Sequence, residues 1–373
     1  MGKNFMFSVL VVSPNPSVPG GVSVFIEGVK RNVTQTRIDS FFVGSSGKGD
    51  EPRWKIATRL VVAPFQLVHR VMMNAYKYDA VHINPSFDVK SLIRDGLFLL
   101  ALRMVGYRRI LFYFHGWNSK TQQTIVNNRA LSLFAAWILN RAGLITVLGD
   151  AFRDDLVMIG VDPSRIMVTR TMFEGCELEA TIEAKALPTT RSFILFLSRF
   201  DREKGGRELV EAFAGLEADY PDLDLILAGD GNDMRSLREL VEGLGLQKRV
   251  LFVGYVSGAQ KAQLLTGCSV FALPTYYRGE GMPVAVLEAM GAGKPLLVGS
   301  AGALHTIVSD PENGVVLRAI TVEAVNAGLR RLLSDRAFAE RAGKNNADLA
   351  WSKFEAHIVT REIETFYQKV ATC

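Results

Sequence analysis

Two doubly wound, Rossmann-like α/β domains facing a central cleft are predicted by three observations. Short apolar runs alternate with helical stretches along the whole chain. The 373 residues suggest two domains rather than one. The apolar runs also fall into two sets, separated by the weakly patterned stretch Thr181–Thr190. Strand–helix alternation of this kind gives parallel sheets with ligands at the carboxyl ends of the strands.

In the N-terminal half, Phe7–Val12, Asp79–Ile83, Ile110–Phe114 and Leu144–Leu148 read as buried parallel strands. In the C-terminal half, Phe193–Leu197, Leu223–Ala228, Val250–Val253, Val270–Leu273 and Leu296–Val298 repeat the scheme. The expected domains are residues 1–180 and 190–354, with a last helix at about 355–373 returning to the first. Pro14–Gly21 links the first strand to a helix with Val22, Phe25, Ile26 and Val29 at helical spacing. Gly20 and Gly21 there would let backbone N–H groups approach a phosphate.

The segment most informative about chemistry is Glu280-Gly-Met-Pro-Val-Ala-Val-Leu-Glu288. Glu280 falls in the loop after the strand ending at Leu273, beside a helix whose first position suits Pro283. Glu288 lies about one and a half turns into that helix. Arg199 and Lys204 occupy the loop after the strand ending at Leu197.

Composition excludes several classes. Hydrophobic residues at 48% and charged residues at 22% are ordinary for a globular enzyme. Cys176, Cys268 and Cys373 are too scattered for a disulfide framework or a zinc site, which fits a reducing cytoplasm. No apolar run approaches the ~18 residues of a membrane span. Met1–Val12 lacks a small-residue cleavage site and reads as a strand rather than a signal peptide. Asp222 and Asp224 precede a strand, at the wrong end of a sheet for a metal–nucleotide site. Gly229-Asp-Gly231 lacks the third glycine of a dinucleotide fingerprint, Gly47-Lys48 is followed by Gly49 and forms no P-loop, and five histidines show no metal-ligand spacing.

Charge is uneven. Residues 1–180 hold 21 Lys+Arg against 14 Asp+Glu, and the remainder 22 against 24. Pro52–Tyr78 and Gly96–Gly149 contain no acid. In the former, Arg53, Lys55 and Arg59 interleave with Trp54, Val61, Val62, Phe65, Leu67, Val68 and Met72. Two readings fit: a helix lying on an anionic bilayer, or an ordinary amphipathic helix packed on its own sheet. No nucleic-acid-binding motif accompanies the charge.

The Glu280–Glu288 string resembles the E-x7-E signature of the retaining glycosyltransferases of the glycogen-synthase-like family, whose fold is the two-Rossmann-domain GT-B architecture. Met282 and Pro283 replace the Phe and second Gly usual there. Arg199 to Gly205 resembles the family's G-R-x-x-x-x-K-G segment, with Ser198 at the first Gly. The resemblance implies that a sugar moves from a UDP- or GDP-sugar to an acceptor hydroxyl, in bacterial polysaccharide or glycolipid assembly, with no metal or other cofactor. It assigns the diphosphate to Arg199 and Lys204, the donor sugar to Glu280 and His115, the ribose to Glu288 and the base to Gly254, Tyr255 and Val256. It adds Gly20, Gly21, Gly281, Met282, Pro283 and Val284 as donor contacts. Where the family has N-G-V-D, this chain has Phe173-Glu174-Gly175-Cys176-Glu177, and no site is assigned there. Retention could use a carboxylate nucleophile or a same-face substitution; the lack of a second carboxylate motif near His115 favours the latter. The acid-free, apolar-interleaved stretches of the N-terminal half suggest a lipid-linked acceptor at the cytoplasmic face of the plasma membrane, a setting that the resemblance permits without requiring it. A nucleotide-sugar epimerase and a non-catalytic sugar-nucleotide-binding protein are the alternative readings on the same fold.

Overall fold

The computed structural model describes residues 6–15, 20–43, 53–73, 78–179 and 187–372, with the side chains of 53–57 and 59 excepted. It divides into two units: Met1–Met172 with Ala356–Cys373, and Phe173–Glu355.

The first unit runs β1 (Phe7–Pro14), α1 (Gly21–Asn32), β2 (Thr36–Val43), α2 (Arg53–Met73), β3 (Ala80–Ile83), β4 (Ser86–Phe87) and α3 (Val89–Met104). It continues through β5 (Ile110–Tyr113), β6 (Gly116–Trp117), α4 (Ser119–Val126), α5 (Arg129–Leu139), β7 (Leu144–Val147), α6 (Asp150–Met158) and β8 (Ile166–Val168). The second unit opens with α7 (Gly175–Glu179), β9 (Ser192–Leu197), α8 (Gly206–Ala214), β10 (Leu223–Ala228), α9 (Met234–Gly243) and β11 (Val250–Gly254). Then come α10 (Gly258–Gly267), β12 (Val270–Leu273), α11 (Val284–Gly291), β13 (Leu296–Gly299), β14 (Gly314–Leu317), α12 (Val322–Ser334) and α13 (Arg336–Lys353). The last helix, α14 (Ala356–Ala371), belongs to the first unit.

Among the described residues each unit holds a six-stranded sheet, ordered β2-β1-β3-β5-β7-β8 in the first and β11-β10-β9-β12-β13-β14 in the second. The pairings are parallel. Both orders reverse direction part-way, at β1/β3 and at β9/β12. Ligands of doubly wound sheets bind beside such switch points, because neighbouring loops there diverge to opposite faces. The α/β class and parallel sheets in two domains are thus as the sequence predicts.

The central strands are buried throughout, as in Val9–Val12 and Ile194–Phe196. Each fully buried aliphatic side chain contributes roughly 1.5–3 kcal/mol. Runs of this kind, covered by helices on both faces, show no alternation and are easy to read. The expectation omitted β2, β8 and β14 of these sheets, and the two-residue strands β4 and β6, which pair with each other. β2 alternates Arg37, Asp39 and Ser40 with Ile38 and Phe41 at a sheet edge, half exposed; β8, three residues long, and β14, four, lie at the other edges.

Two further expectations need correction. The chain enters the second unit at Phe173, not near residue 180. Phe173 N–H donates to Phe354 O at 3.0 Å, its ring packs edge-on to Trp351, and α7 packs on α10. Most of the expected linker, residues 181–186, lies outside the described residues, as do Gly47, Lys48 and Cys373. Pro283 is also not the first helical residue; it caps α11 with extended ψ, and the helix starts at Val284.

α14 is fastened to the first unit by polar contacts. Glu364 accepts from Thr34 N and Gln35 N, Glu362 pairs with Arg170, and Tyr367 Oη lies 2.8 Å from His82 Nδ1. α2 packs on α3, a helix, rather than on the sheet as the plain reading of that stretch expects; Ala63, Leu67 and Val71 are buried, while Val61, Val62, Phe65 and Met72 are exposed. The side chains of Arg53, Lys55 and Arg59 lie outside the described residues.

Candidate active site

In the second unit the loops following β9 and β12, neighbours at the switch point, carry the charged residues singled out in the sequence. After β9 the chain makes a single 3-10 turn, Arg202–Lys204, and then passes through Gly205 at φ 78°. A Cβ on Gly205 would lie 2.1 Å from Pro274 O. Glycine therefore permits both a left-handed turn and the contact of the two loops. That contact sets Lys204 on Glu280. The ammonium and carboxylate form a buried ion pair, 9% and 7% exposed, and Thr275 Oγ1 donates to the same Glu280 oxygen at 3.2 Å. The Glu280 backbone is fixed in turn: Ala303 N–H donates to its carbonyl, and a Cβ on Gly302 would sit 1.9 Å from that oxygen.

Glu288, on α11, is buried and paired with Lys261 of α10 at 2.5 Å. Lys261 also reaches Glu177 of α7 at 3.0 Å, so one ammonium ties three helices. Burial holds the Glu288 carboxyl above its ordinary value, and Lys261 opposes this. Burial alone would lower the Lys261 ammonium, but Glu288 and Glu177 outweigh it and hold it above its ordinary value. Sequence reasoning missed Lys261 and Glu177. Lys261 sits in a helix with no motif around it, and Glu177 lies in the segment set aside for departing from the family pattern.

Arg199 is 78% exposed along its side chain and pairs with Asp201 at 3.3 Å. The two cations of the expected clamp therefore have different partners here. Tyr255 is 69% exposed beside Gly254, at φ 71°, while Val256 is buried. Gly281, Met282, Pro283 and Val284 continue from Glu280 into α11, with Met282 buried. Asp224 is occupied elsewhere: Arg249, Arg191 and Thr189 all engage it at the amino end of β10. Nearby, a crevice of about 650 Å³ lined by Ser192, Asp222, Val270 and Lys294 sits at that same end of the sheet, away from Glu280 and Lys204.

The first unit carries Gly20, Gly21 and His115. Gly20 has extended backbone and caps α1 without a side-chain hydrogen bond. Among the described residues, no atom outside the local chain lies within 4 Å of where a Cβ on either glycine would sit, so packing against them does not require glycine there. His115 follows β5, stacks on Tyr113 and meets Phe25 edge-on. Burial pushes its imidazole down to about 3, so it is neutral at ordinary pH. Its Nε2 lies 2.8 Å from Asn84 Oδ1, and Asn84 Nδ2 donates to Val12 O. With the Asn84 amide so oriented, Nε2–H is the donor and Nδ1 is left as an acceptor. Asn84 follows β3, at the switch point of the first sheet.

Residues 179–348 match the family described as glycosyl transferases group 1. A glycosyltransferase of Methanocaldococcus jannaschii is 29% identical over 47% of this chain and 44% of its own length. The phosphatidyl-myo-inositol mannosyltransferase of Mycobacterium leprae is 27% identical over 78% of this chain and 75% of its own. Among solved structures, HepE of Anabaena in complex with UDP and glucose superposes with a TM-score of 0.72 at 17% identity, over 96% of this chain and 98% of its own. The match to the first of these relatives spans less than half of that protein's length. The chain is thus similar to the glycosyl transferases group 1 family over residues 179–348, and its fold is that of the GT-B glycosyltransferases.

Proposed function

We propose that this protein is a retaining glycosyltransferase that moves a sugar from a UDP- or GDP-sugar to an acceptor hydroxyl in polysaccharide or glycolipid assembly. The observation that carries the reading is the buried Lys204–Glu280 pair at the switch point of the second sheet. A cation suited to a diphosphate and a carboxylate suited to sugar hydroxyls meet there, where doubly wound sheets take their ligands. The group 1 match, and the UDP and glucose bound by HepE, support the donor class.

In this reading Lys204 and Arg199 take the diphosphate and stabilise charge growing on the leaving group. Lys204 exchanges Glu280 for phosphate, which releases the carboxylate to accept from donor-sugar hydroxyls while Thr275 keeps it in place. Glu288, held by Lys261, accepts from the ribose hydroxyls. Gly254, Tyr255 and Val256 line the base. Gly20 and Gly21 offer backbone N–H groups to phosphate, which suits two glycines that packing does not require. His115, neutral, contacts the donor sugar through Nδ1 rather than acting as an acid.

For the chemical step, the acceptor oxygen attacks the anomeric carbon on the face from which the diphosphate departs. The anomeric carbon–oxygen bond to phosphate breaks, the new glycosidic bond forms, and the leaving diphosphate takes the acceptor proton. No metal or cofactor enters the scheme. The acceptor is placed on a lipid, at the cytoplasmic face of a membrane; the M. leprae relative's name, which includes phosphatidyl-myo-inositol, supports that choice.

The test is a panel of UDP- and GDP-sugars with lipid-linked and soluble acceptors, reading nucleoside diphosphate release and the anomeric configuration of the product by NMR. Donor-dependent release with a product of unchanged configuration is expected. An inverted product would overturn retention. Isomerisation of the donor without acceptor would make the protein an epimerase, and donor binding without turnover would make it a binding protein.

A further inference from the structure

The first unit carries a surface that the donor chemistry does not use. α5 packs on α3 and α4, and α3 packs on α2. Inward, α5 buries Ala136 and Leu139, and α3 buries Phe98, Leu99 and Leu102. Outward, α5 exposes Leu133, Phe134 and Trp137, 62%, 59% and 48% exposed. α3 adds exposed Val89, Ile93 and Leu97, and α2 adds Val61, Phe65 and Met72. Single exposed apolar residues are ordinary, but three neighbouring helices presenting them together mark an interaction surface.

Charge says what kind of partner fits. Across α2, α3, α4 and α5 the sequence contains one carboxylate, Asp95. It is 1% exposed and bonded by both Arg94 Nε and Nη2, so it presents no negative charge outward. The same helices carry exposed cations: Lys90 on α3, Lys120 on α4 and Arg129 on α5. Arg141 lies 3.7 Å over the Trp137 ring and donates to Trp137 O. An aromatic ring carrying a guanidinium on its face combines an apolar body with a phosphate-binding head, the combination favoured at a bilayer interface. No helix among the described residues is long and apolar enough to cross a membrane, so such a surface would lie on it.

We propose that the outer faces of α3 and α5, continued by α2, dock the protein on an anionic lipid bilayer, with Phe134 and Trp137 entering the headgroup region and Arg141, Arg129 and Lys120 meeting lipid phosphates. This deepens the proposed function by naming the surface that brings the enzyme to a lipid-borne acceptor. Its test does not depend on turnover.

The full chain is floated with phosphatidylcholine vesicles, with and without phosphatidylglycerol, at rising salt. Binding to the anionic vesicles alone, fading with salt, is expected. Trp137 emission should shift to the blue and be quenched by brominated lipid, and Trp137→Phe should remove most of the quenching while leaving binding. The double substitution Phe134→Ser with Trp137→Ser should weaken partitioning by roughly ten- to a hundredfold, the worth of one or two large apolar side chains. An unchanged far-UV circular dichroism spectrum and thermal unfolding transition in that variant serve as the control for folding. Failure to bind anionic vesicles at low salt, or binding indifferent to the double substitution, overturns the proposal. So does self-association that buries Trp137 and is lost in the double variant, because a second copy would then cover the surface. Each result stands whether or not the donor reading survives.

Discussion

Glu280→Gln separates the two jobs assigned to the loops at β9 and β12. In the free protein Glu280 neutralises Lys204 in a site where both are almost fully buried. Removing one partner of such a pair leaves an uncompensated charge and costs about 3–5 kcal/mol. For a unit of the size of Phe173–Glu355, 3 kcal/mol corresponds to a fall in Tm of about 6–12 °C. The same substitution removes the carboxylate that competes with phosphate for Lys204. A charge-assisted hydrogen bond is worth about 1.5–3 kcal/mol, so free UDP or GDP should bind roughly ten- to a hundredfold more tightly than to the parent. Sugar transfer should fall at the same time, because the acceptor for the sugar hydroxyls is weakened. Differential scanning calorimetry with and without nucleotide, titration calorimetry and a turnover assay read the three effects. The expected signature is a low Tm restored by nucleotide, tighter nucleotide binding and lost transfer. Nucleotide affinity equal to or weaker than the parent's, in a variant that still folds, would refute the exchange of Glu280 for phosphate on Lys204.

Other outcomes follow from the same geometry. Arg199→Ala should weaken nucleoside diphosphate binding by about 1.5–3 kcal/mol with little change in Tm, since its side chain is exposed; unchanged affinity by calorimetry would remove it from the clamp. Lys261→Met should destabilise the protein by about 3 kcal/mol near pH 8, as judged by urea unfolding. Burial already holds Glu288 above its ordinary value, and losing Lys261 raises it further. The penalty for ionising Glu288 is then absent below the unfolded carboxyl's pKa and complete above the raised folded one, so the defect should shrink toward pH 5. A defect independent of pH would mean that Lys261 acts by packing alone. Transfer should survive excess EDTA, because the diphosphate is met by side chains; activity abolished by the chelator and restored by magnesium or manganese would bring a metal back into the scheme.

How much of this was legible in the sequence depends on what each feature's signal was. Strands such as Leu223–Ala228 and Val270–Leu273 were read to the residue, because burial on both faces writes an uninterrupted apolar run closed by a turn residue. β2 was not, because an edge strand half in water carries Arg37 and Asp39 among its apolar residues and resembles a loop. The helices of the first unit were legible as amphipathic, but not which apolar residues faced inward: Leu67 is buried while Phe65, two residues away, is among the most exposed.

The candidate site divides in the same way. Spacing placed Glu280, Arg199 and Lys204 in loops at strand ends, because that depends only on where strands stop. It did not reveal that Lys204 would be spent on Glu280 and Arg199 left to Asp201, since both outcomes suit the same loop. What decides between them is Gly205, whose missing Cβ lets Pro274 close on the turn and carries Lys204 with it. Lys261 was illegible for a further reason. Its partners, Glu177 and Glu288, stand 84 and 27 residues away on two other helices, and no local pattern records a contact made only when three helices meet. The consequence bears on function. If the donor's ribose binds Glu288, it binds a carboxylate whose aim is set by Lys261 and, through it, by α7, so ribose recognition in this chain would depend on the segment in which it departs most from the family pattern. Discrimination between UDP and 2′-deoxy-UDP should then weaken in Lys261→Met as it does in Glu288→Gln, and no further in the double variant; additive losses would show that the two residues act separately.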